Sequence, residues 1–121
     1  MLCSMLKAKL HAARVTDAQV DYEGSLTIDQ DLMDAVKIAA YERILVANLE
    51  NGNRFETYAI PGPRGSGVIC LNGATAHLGK VGDRIIIFTF CQIPAEEVVG
   101  HRPLILRLDD KNRPAGGVSR G

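Results

Sequence analysis

Short hydrophobic stretches separated by glycine and proline recur along the whole chain. Near the start, Leu6, Ala8 and Leu10 alternate with polar residues at positions 7, 9 and 11. An alternation of period two is typical of a β-strand with one buried face and one exposed face. Further strands are predicted over residues 26–29, 43–49, 54–60, 68–71, 85–93 and 104–108. The segment 85–93 is the most apolar of these, which favours a central position in a sheet.

Helical signals are few and short. Over residues 29–37 the period changes, because Leu32, Ala35 and Val36 form an apolar stripe behind Asp29 or Asp31. Either aspartate can cap the N-terminus of a helix. Single helical turns are predicted over residues 74–78 and 94–99.

Turn residues divide the strands from one another. Asn51-Gly52 joins the strands at 43–49 and 54–60 and is the strongest short hairpin signal. The proline- and glycine-rich segment 61–67 is predicted to be a loop. Residues 110–121 are rich in Gly, Lys and Arg, which predicts a tail that is disordered or loosely docked. Together these patterns predict one domain over residues 1–121, mainly β, with short helices and the many short strands of a closed barrel.

Composition excludes several classes of function. The chain has 121 residues with 14 basic and 14 acidic side chains, so its bulk charge does not predict binding to nucleic acid. No apolar stretch approaches the roughly 20 residues that span a bilayer, and the N-terminus lacks a signal-peptide core. We therefore expect a cytoplasmic protein with no membrane partner. Three cysteines without a Cys-x-x-Cys pair, and histidines without a His-x-x-x-His pair, predict neither disulfides nor a metal site.

The dipeptide Gly24-Ser25 has two interpretations. In most proteins a Gly-Ser pair belongs to a turn. It can also be a self-processing site, because glycine leaves its carbonyl unshielded and can adopt strained backbone angles. The hydroxyl of Ser25 can then attack that carbonyl and convert the amide into an ester. Elimination of the ester and hydrolysis would leave an N-terminal pyruvoyl group, a ketone that forms a Schiff base with an amine.

Five further motifs surround this dipeptide in a fixed order. They are Met5-Leu6-Lys7-Ala8-Lys9-Leu10-His11, Asn51-Gly52-Asn53-Arg54-Phe55-Glu56-Thr57-Tyr58-Ala59-Ile60, Arg64-Gly65-Ser66-Gly67, Leu71-Asn72-Gly73-Ala74-Thr75-Ala76-His77 and Val81-Gly82-Asp83. Together with Tyr22-Glu23-Gly24-Ser25 they closely resemble the bacterial aspartate 1-decarboxylase family over residues 1 to about 108.

The resemblance implies a fold and an activity. The fold would be a six-stranded double-psi β-barrel. The chain would cleave itself between Gly24 and Ser25 into residues 1–24 and 25–121, either unaided or with a maturation factor. The pyruvoyl cofactor derived from Ser25 would decarboxylate L-aspartate to β-alanine through a Schiff base, for pantothenate synthesis. Family members form homotetramers with active sites between subunits.

The resemblance also implies roles for individual residues. Thr57 would stabilise the oxyanion during cleavage and contact the substrate, and Tyr58 would be the proton donor after loss of carbon dioxide. Lys9 and Arg54 would bind the two carboxylates of aspartate, in an order that the sequence leaves open. The substrate-binding turn would consist of Asn72, Gly73, Ala74 and Thr75. His11 and Tyr22 also match residues near the family's site, whereas His77 is interpreted as structural.

Two features of the local sequence bear on this interpretation. Thr57 and Tyr58 are adjacent, so on an ideal strand their side chains point to opposite faces. Cys3 stands where the family would have a basic residue, and the tail is short. The alternative function, from another class, is a non-catalytic barrel for binding or assembly in which Gly24-Ser25 stays intact, because a fold alone does not determine function.

Overall fold

Eight β-strands and three short helices are arranged around one hydrophobic core. The structure is a computed structural model that describes residues 1–121. The strands are β1 (Leu2–Arg14), β2 (Asp17–Gln19), β3 (Ser25–Asp29), β4 (Arg43–Asn48), β5 (Arg54–Gly62), β6 (Ile69–Asn72), β7 (Arg84–Pro94) and β8 (Leu104–Arg107). The helices are α1 (Gln30–Ala35) and two 3-10 turns, Gly73–His77 and Ala95–Glu97. None of the helices has the length and apolar character needed to cross a bilayer.

The eight strands form one mixed sheet in the order β2-β6-β3-β5-β4-β7-β1-β8. The chain itself links distant parts of this order, because β1 continues through Val15 and Thr16 into β2. The amide of Val15 donates to Asp83, just before β7, and the amide of Thr16 donates to Ile69 on β6. The sheet therefore curves until its two halves meet at this junction, as a barrel-like fold requires.

The mainly β class with short helices is confirmed, but the expected count of six strands is wrong. The two strands at the ends of the sheet are short, since β2 has three residues and β8 has four. The pattern over residues 17–19 gave no sign of β2, because a three-residue polar segment carries no measurable alternation. The predicted interior position of the apolar strand is confirmed, since β7 lies between β4 and β1.

β1 is longer than its alternation predicted and bends along its length. Its pairing with β7 shifts register between Leu6 and Ala8, and again between Leu10 and Ala13. Ala12, within the second shift, has a φ of +64°, in the left-handed region that non-glycine residues seldom adopt. Such irregularities bend a strand and increase its twist. They allow β1 to pair with β7 along most of its length and then turn toward β6.

Asp29 connects α1 to the loop that follows β5. Its buried carboxylate caps α1 by accepting a hydrogen bond from the amide of Asp31. It also accepts from the amides of Gly65 and Gly67, at 3.0 and 2.9 Å. The helix ends before the predicted residue 37, because Lys37 adopts a φ of +59°. One carboxylate thus fixes both the helix and the loop against the start of β6.

The C-terminal tail, predicted to be disordered or loosely docked, contacts the rest of the fold in the structure. Isolated bridges join Ile105 to Ser119 and Leu108 to Pro114. Asn112 is 1 % exposed, and its side-chain amide donates to the carbonyls of Arg14 and Gly67 at 2.8 Å each. Composition could not decide between these two outcomes, because the docking depends on backbone bridges and on the Asn112 side chain rather than on an apolar segment.

We expect Asn112→Ala to lower the free energy of unfolding by about 2–4 kcal/mol, since it leaves buried backbone groups without partners. Urea denaturation measures this. The matched control is Lys111→Ala, whose exposed side chain forms no hydrogen bond and whose loss should cost within about 0.5 kcal/mol. Equal stabilities for the two variants would contradict the docked tail.

Candidate active site

Ser25 is the first residue of β3 and is only 1 % exposed. The side-chain amide of Asn72 donates to its Oγ at 3.0 Å and to Thr27 Oγ1 at 2.8 Å. The Ser25 hydroxyl in turn lies 3.4 Å from the carbonyl oxygen of Glu23, as a long donor contact. A buried hydroxyl is thus held in one orientation beside the Gly24–Ser25 peptide bond.

Strand pairing explains why these polar side chains meet. In the antiparallel ladder of β3 and β6, Ser25 pairs with Asn72, Leu26 with Leu71 and Thr27 with Cys70. Side chains alternate between the two faces of a strand. The two leucines are fully buried in the core, so the other four side chains share the opposite face. We call these four side chains the polar quartet: Ser25, Thr27, Cys70 and Asn72.

The turn after β6 closes on the polar quartet. Thr75 Oγ1 donates to the carbonyl of Asn72 at 2.7 Å and lies 3.4 Å from the carbonyl of Ser25. Gly73 has a φ of +63°, and a Cβ added there would lie 2.6 Å from Gly24 N and 2.7 Å from the carbonyl oxygen of Tyr22. Only glycine therefore fits between the turn and residues 22–24.

Gly24 itself lies in an open position. A Cβ added there would have no atom within 4 Å, and its φ is not in the left-handed region. The unshielded surroundings expected for Gly24 are therefore present, but the structure gives no sign of backbone strain in φ. The neighbouring Tyr22 is largely exposed.

A groove of about 410 Å³ opens onto the polar quartet. Its remaining lining residues are Asp17, Gln19, Tyr22, Glu23, Ile60 and Val68. The groove is therefore large enough for a small molecule. Its charged groups are both acidic, so the groove by itself does not attract an anion.

Cationic side chains gather elsewhere, around Phe88 on β7. Lys9 Nζ and Arg54 Cζ each lie 5.8 Å from the centre of the Phe88 ring, a distance suited to cation–π attraction. Neither cation has an acidic partner within ion-pair distance, whereas nearby Lys7 and Arg43 are paired with Glu42 and Glu56. The unpaired cations are available to an anionic ligand.

His11 follows Lys9 by two positions on β1, and the charge of Lys9 acts on it. We call Lys9, His11, Arg54 and Phe88 the cationic cluster, after its lysine and arginine. The Nδ1 of His11 is buried without a hydrogen-bond partner. Burial lowers the pKa of His11 below its usual value, and the positive charges of Lys9 and Arg107 lower it further. At neutral pH the imidazole is therefore neutral, and it leaves a buried polar atom for a ligand to satisfy.

Thr57 and Tyr58 lie on β5 between these groups. The Tyr58 ring is 6.3 Å from the ring of Tyr41. β5 pairs in parallel with β3 from Ala59 opposite Leu26. Extending that register by two residues brings Thr57 level with Gly24, although the Thr57 side chain forms no hydrogen bond in the structure. The ladder itself begins at Ala59, so a contact between Thr57 and the cleavage site stays a prediction.

The structure divides the predicted site residues into two sets. Asn72 and Thr75 contact Ser25, Gly73 lies against Gly24, and Tyr22 lines the same groove. Lys9 and His11 are not among them, because three strands, β5, β4 and β7, lie between β3 and β1. Arg54 is on β5, next to β3, but it stands at the start of that strand, before the pairing with β3 begins at Ala59. Ala74 and His77 are both exposed.

Sequence reasoning missed three residues of these groups: Thr27, Cys70 and Phe88. A signal existed for the first two, since Thr27 lies two positions after Ser25 and Cys70 two positions before Asn72. In a strand, residues two apart share a face. Cys70 is buried, and its contact with Asn72 was not expected. Phe88 had no signal beyond its place in an apolar run.

Comparison with known proteins adds an independent finding. The family model described as aspartate decarboxylase matches residues 1–115. A protein of Syntrophobacter fumaroxidans named aspartate 1-decarboxylase is 57% identical over 110 residues, which are 91% of this chain and 89% of that protein. Proteins of the same name from Lactiplantibacillus plantarum and Heliobacterium modesticaldum are 52% and 55% identical, over 93% and 90% of this chain and 87% and 83% of their own lengths.

We expect Gly73→Ala to lower the free energy of unfolding by about 2–5 kcal/mol, because it adds a steric clash to an unfavourable φ. Gly82→Ala is the matched control, since Gly82 also has a positive φ but open space around its Cα. That control should lose only about 1 kcal/mol. Denaturation measures both variants, and amide chemical shifts should report displacement of Gly24 in Gly73→Ala alone. Indistinguishable losses would contradict the close contact.

Proposed function

The chain belongs to the aspartate decarboxylase family, and we propose that it is an aspartate 1-decarboxylase that activates itself by cleavage at Gly24–Ser25. The reaction converts L-aspartate to β-alanine and carbon dioxide for pantothenate synthesis. The observation that carries the proposal is the Asn72 amide on the buried Ser25 hydroxyl, beside an unshielded Gly24. A biosynthetic role of this kind also supports a cytoplasmic location.

Self-cleavage begins with the Ser25 hydroxyl. Its Oγ adds to the carbonyl carbon of Gly24, the C–N bond breaks, and the hydroxyl proton ends on the nitrogen of Ser25. The product is an ester between Gly24 and Oγ. A base then removes the Cα proton of residue 25, and the Cβ–Oγ bond breaks. Gly24 departs as a carboxylate that retains Oγ, water replaces the nitrogen as a carbonyl oxygen, and ammonia is released.

The surroundings of Ser25 fit the pyruvoyl group that this sequence of steps leaves. Asn72 offers an amide donor beside the reacting atoms, and Thr75 offers a hydroxyl 3.4 Å from the Ser25 carbonyl. The groove of about 410 Å³ leaves room for a substrate at the same place. A pyruvoyl group held there would supply a ketone to bind the substrate amine and to accept the electrons released on loss of carbon dioxide.

The other residues act on charges and protons. Thr57, level with Gly24 in the strand register, donates to the oxyanion that forms during cleavage. Tyr58 follows on the same strand and delivers the proton that replaces the lost carboxylate. Lys9 and Arg54 neutralise the two carboxylates of aspartate, the arginine as a bidentate donor.

The separation of the two sets favours a site shared between copies of the chain. The groove at Ser25 has acidic lining and no cation, whereas the cationic cluster has unpaired cations and no nucleophile. A dicarboxylate requires both sets at once. A homotetramer that places the cationic cluster of one copy over the Ser25 groove of its neighbour meets this requirement.

We expect the purified chain to separate under denaturing conditions into residues 1–24 and 25–121, as seen by mass spectrometry. The larger fragment should be lighter by one ammonia than a fragment that begins with serine. Ser25→Ala should remain whole and inactive, because it has no hydroxyl to attack Gly24. Ser66→Ala, in the exposed loop, is the matched control and should cleave normally.

Two results would count against this proposal. A wild-type chain that stays whole after long incubation would contradict unaided cleavage and would favour the non-catalytic barrel, or a requirement for a maturation factor. Adding cell extract distinguishes these two explanations, because cleavage in the extract would indicate a maturation factor and an intact chain would indicate the non-catalytic barrel. Decarboxylation of aspartate by Ser25→Ala would contradict the role of the cofactor itself.

A mixing experiment tests the shared site. Arg54→Ala should weaken aspartate binding by roughly 1.5–3 kcal/mol, the scale of a hydrogen bond to a charged group. Refolding this variant together with the inactive Ser25→Ala chain should restore activity at low aspartate, because one neighbour supplies the cofactor and the other supplies Arg54. Each variant refolded alone is the control. Tetramers that form without gaining activity would assign both residues to one chain.

A further inference from the structure

Both the nitrogen and the oxygen of the Asn72 side-chain amide form hydrogen bonds. Its nitrogen donates to two oxygens on β3, Ser25 Oγ and Thr27 Oγ1. Its oxygen faces Cys70 Sγ at 3.2 Å, within hydrogen-bond distance for sulfur. Cys70 and Asn72 are two residues apart on β6, so strand alternation brings them together without any help from the rest of the fold.

The orientation of this amide is not fixed by Ser25 and Thr27 alone. Hydroxyl groups both donate and accept, so they could bind either end of a carboxamide. The thiol differs, because its hydrogen favours the oxygen end of the amide. Burial raises the pKa of the Cys70 thiol, and the negative charge of Asp17 raises it further. The sulfur therefore keeps its proton and remains a donor.

The orientation matters for the chemistry of cleavage. The Oγ of Ser25 becomes part of the Gly24 carboxylate when the Cβ–Oγ bond breaks, so negative charge develops on the atom that faces Asn72. An N–H group stabilises that charge. A reversed amide would place its own oxygen against the developing carboxylate and would oppose the step.

We propose that Cys70 is a positioning residue for self-cleavage: its thiol donates to Asn72 Oδ1 and thereby holds the Asn72 N–H groups on Ser25 and Thr27. The proposal rests on the function proposed above, since it concerns the same cleavage. It assigns to a cysteine in an apolar run a role that acts through Asn72 and never through contact with the reacting atoms.

The first test compares three substitutions of Cys70 by the rate of chain cleavage. Cys70→Ala and Cys70→Val remove the donor, the second with little loss of volume, and should slow cleavage about fivefold to tenfold, the effect of losing one hydrogen bond. Cys70→Ser restores a donor and should remain within about threefold of wild type, a margin well below the loss of a full hydrogen bond. Cys91→Ala is the matched control, because the only hydrogen bond of the Cys91 thiol is to the carbonyl of Met5, at 3.6 Å.

Measured stabilities separate positioning from simple packing. Urea denaturation is carried out on each uncleaved variant in the Ser25→Ala background. A serine variant that cleaves faster than the valine variant, whatever their order of stability, supports the proposal. The proposal would be overturned if Cys70→Val cleaved at the wild-type rate. It would also be overturned if Cys70→Ser cleaved as slowly as Cys70→Ala.

A second test does not depend on cleavage. In the Ser25→Ala chain, which should stay whole, the Asn72 side-chain amide is followed by NMR hydrogen exchange. Adding Cys70→Val should speed its exchange at least about threefold. Without the thiol hydrogen bond to Oδ1, the Asn72 N–H groups should break their own hydrogen bonds more often. Unchanged exchange would overturn the positioning role even if the wild-type chain cleaves. Faster exchange in a protein whose wild-type form never cleaves would support the contact and reject the proposed function alone.

Discussion

The antiparallel register between β3 and β6 determines which side chains surround Ser25. Because side chains alternate along each strand, Ser25 and Asn72 share one face while Leu26 and Leu71 enter the core. A shift of one residue would exchange these sets and would bury polar groups in place of leucines. Hydrophobic burial of the two leucines is worth roughly 1.5–3 kcal/mol each, so the core itself holds the polar quartet in register.

β6 can keep this register because both of its edges are occupied. On one edge it pairs with β3. On the other it meets the junction of β1 and β2, where Thr16 and Ile69 exchange hydrogen bonds through the Thr16 amide and hydroxyl. The junction exists because β1 bends at its register shifts near Ala12. An irregularity in the longest strand, which does not itself pair with β3, therefore contributes to the geometry of the site.

The alternation of hydrophobic residues predicted most of the strands, because half-buried strands leave that pattern directly. It could not predict β2, which is too short and polar to show a pattern, or the docked tail, which depends on Asn112. The resemblance to a known family identified Ser25 and Asn72 as site residues. Their direct contact spans 47 positions and depends on a register that no local pattern encodes. Phe88 was missed for a related reason, since its cationic neighbours come from two other strands.

Electrostatics supplies the remaining constraint on how such a site can work. Asp17 and Glu23 line the groove at Ser25 and would repel a dicarboxylate, while Lys9 and Arg54 lie around Phe88 without acidic partners. Two like charges at one aromatic ring repel each other, and cation–π attraction offsets only part of that cost. An anion bound between them would relieve the repulsion. The charge distribution of one chain thus leaves acidic groups alone at the Ser25 groove and cations alone at Phe88, and in the proposed shared site a dicarboxylate would bridge the two.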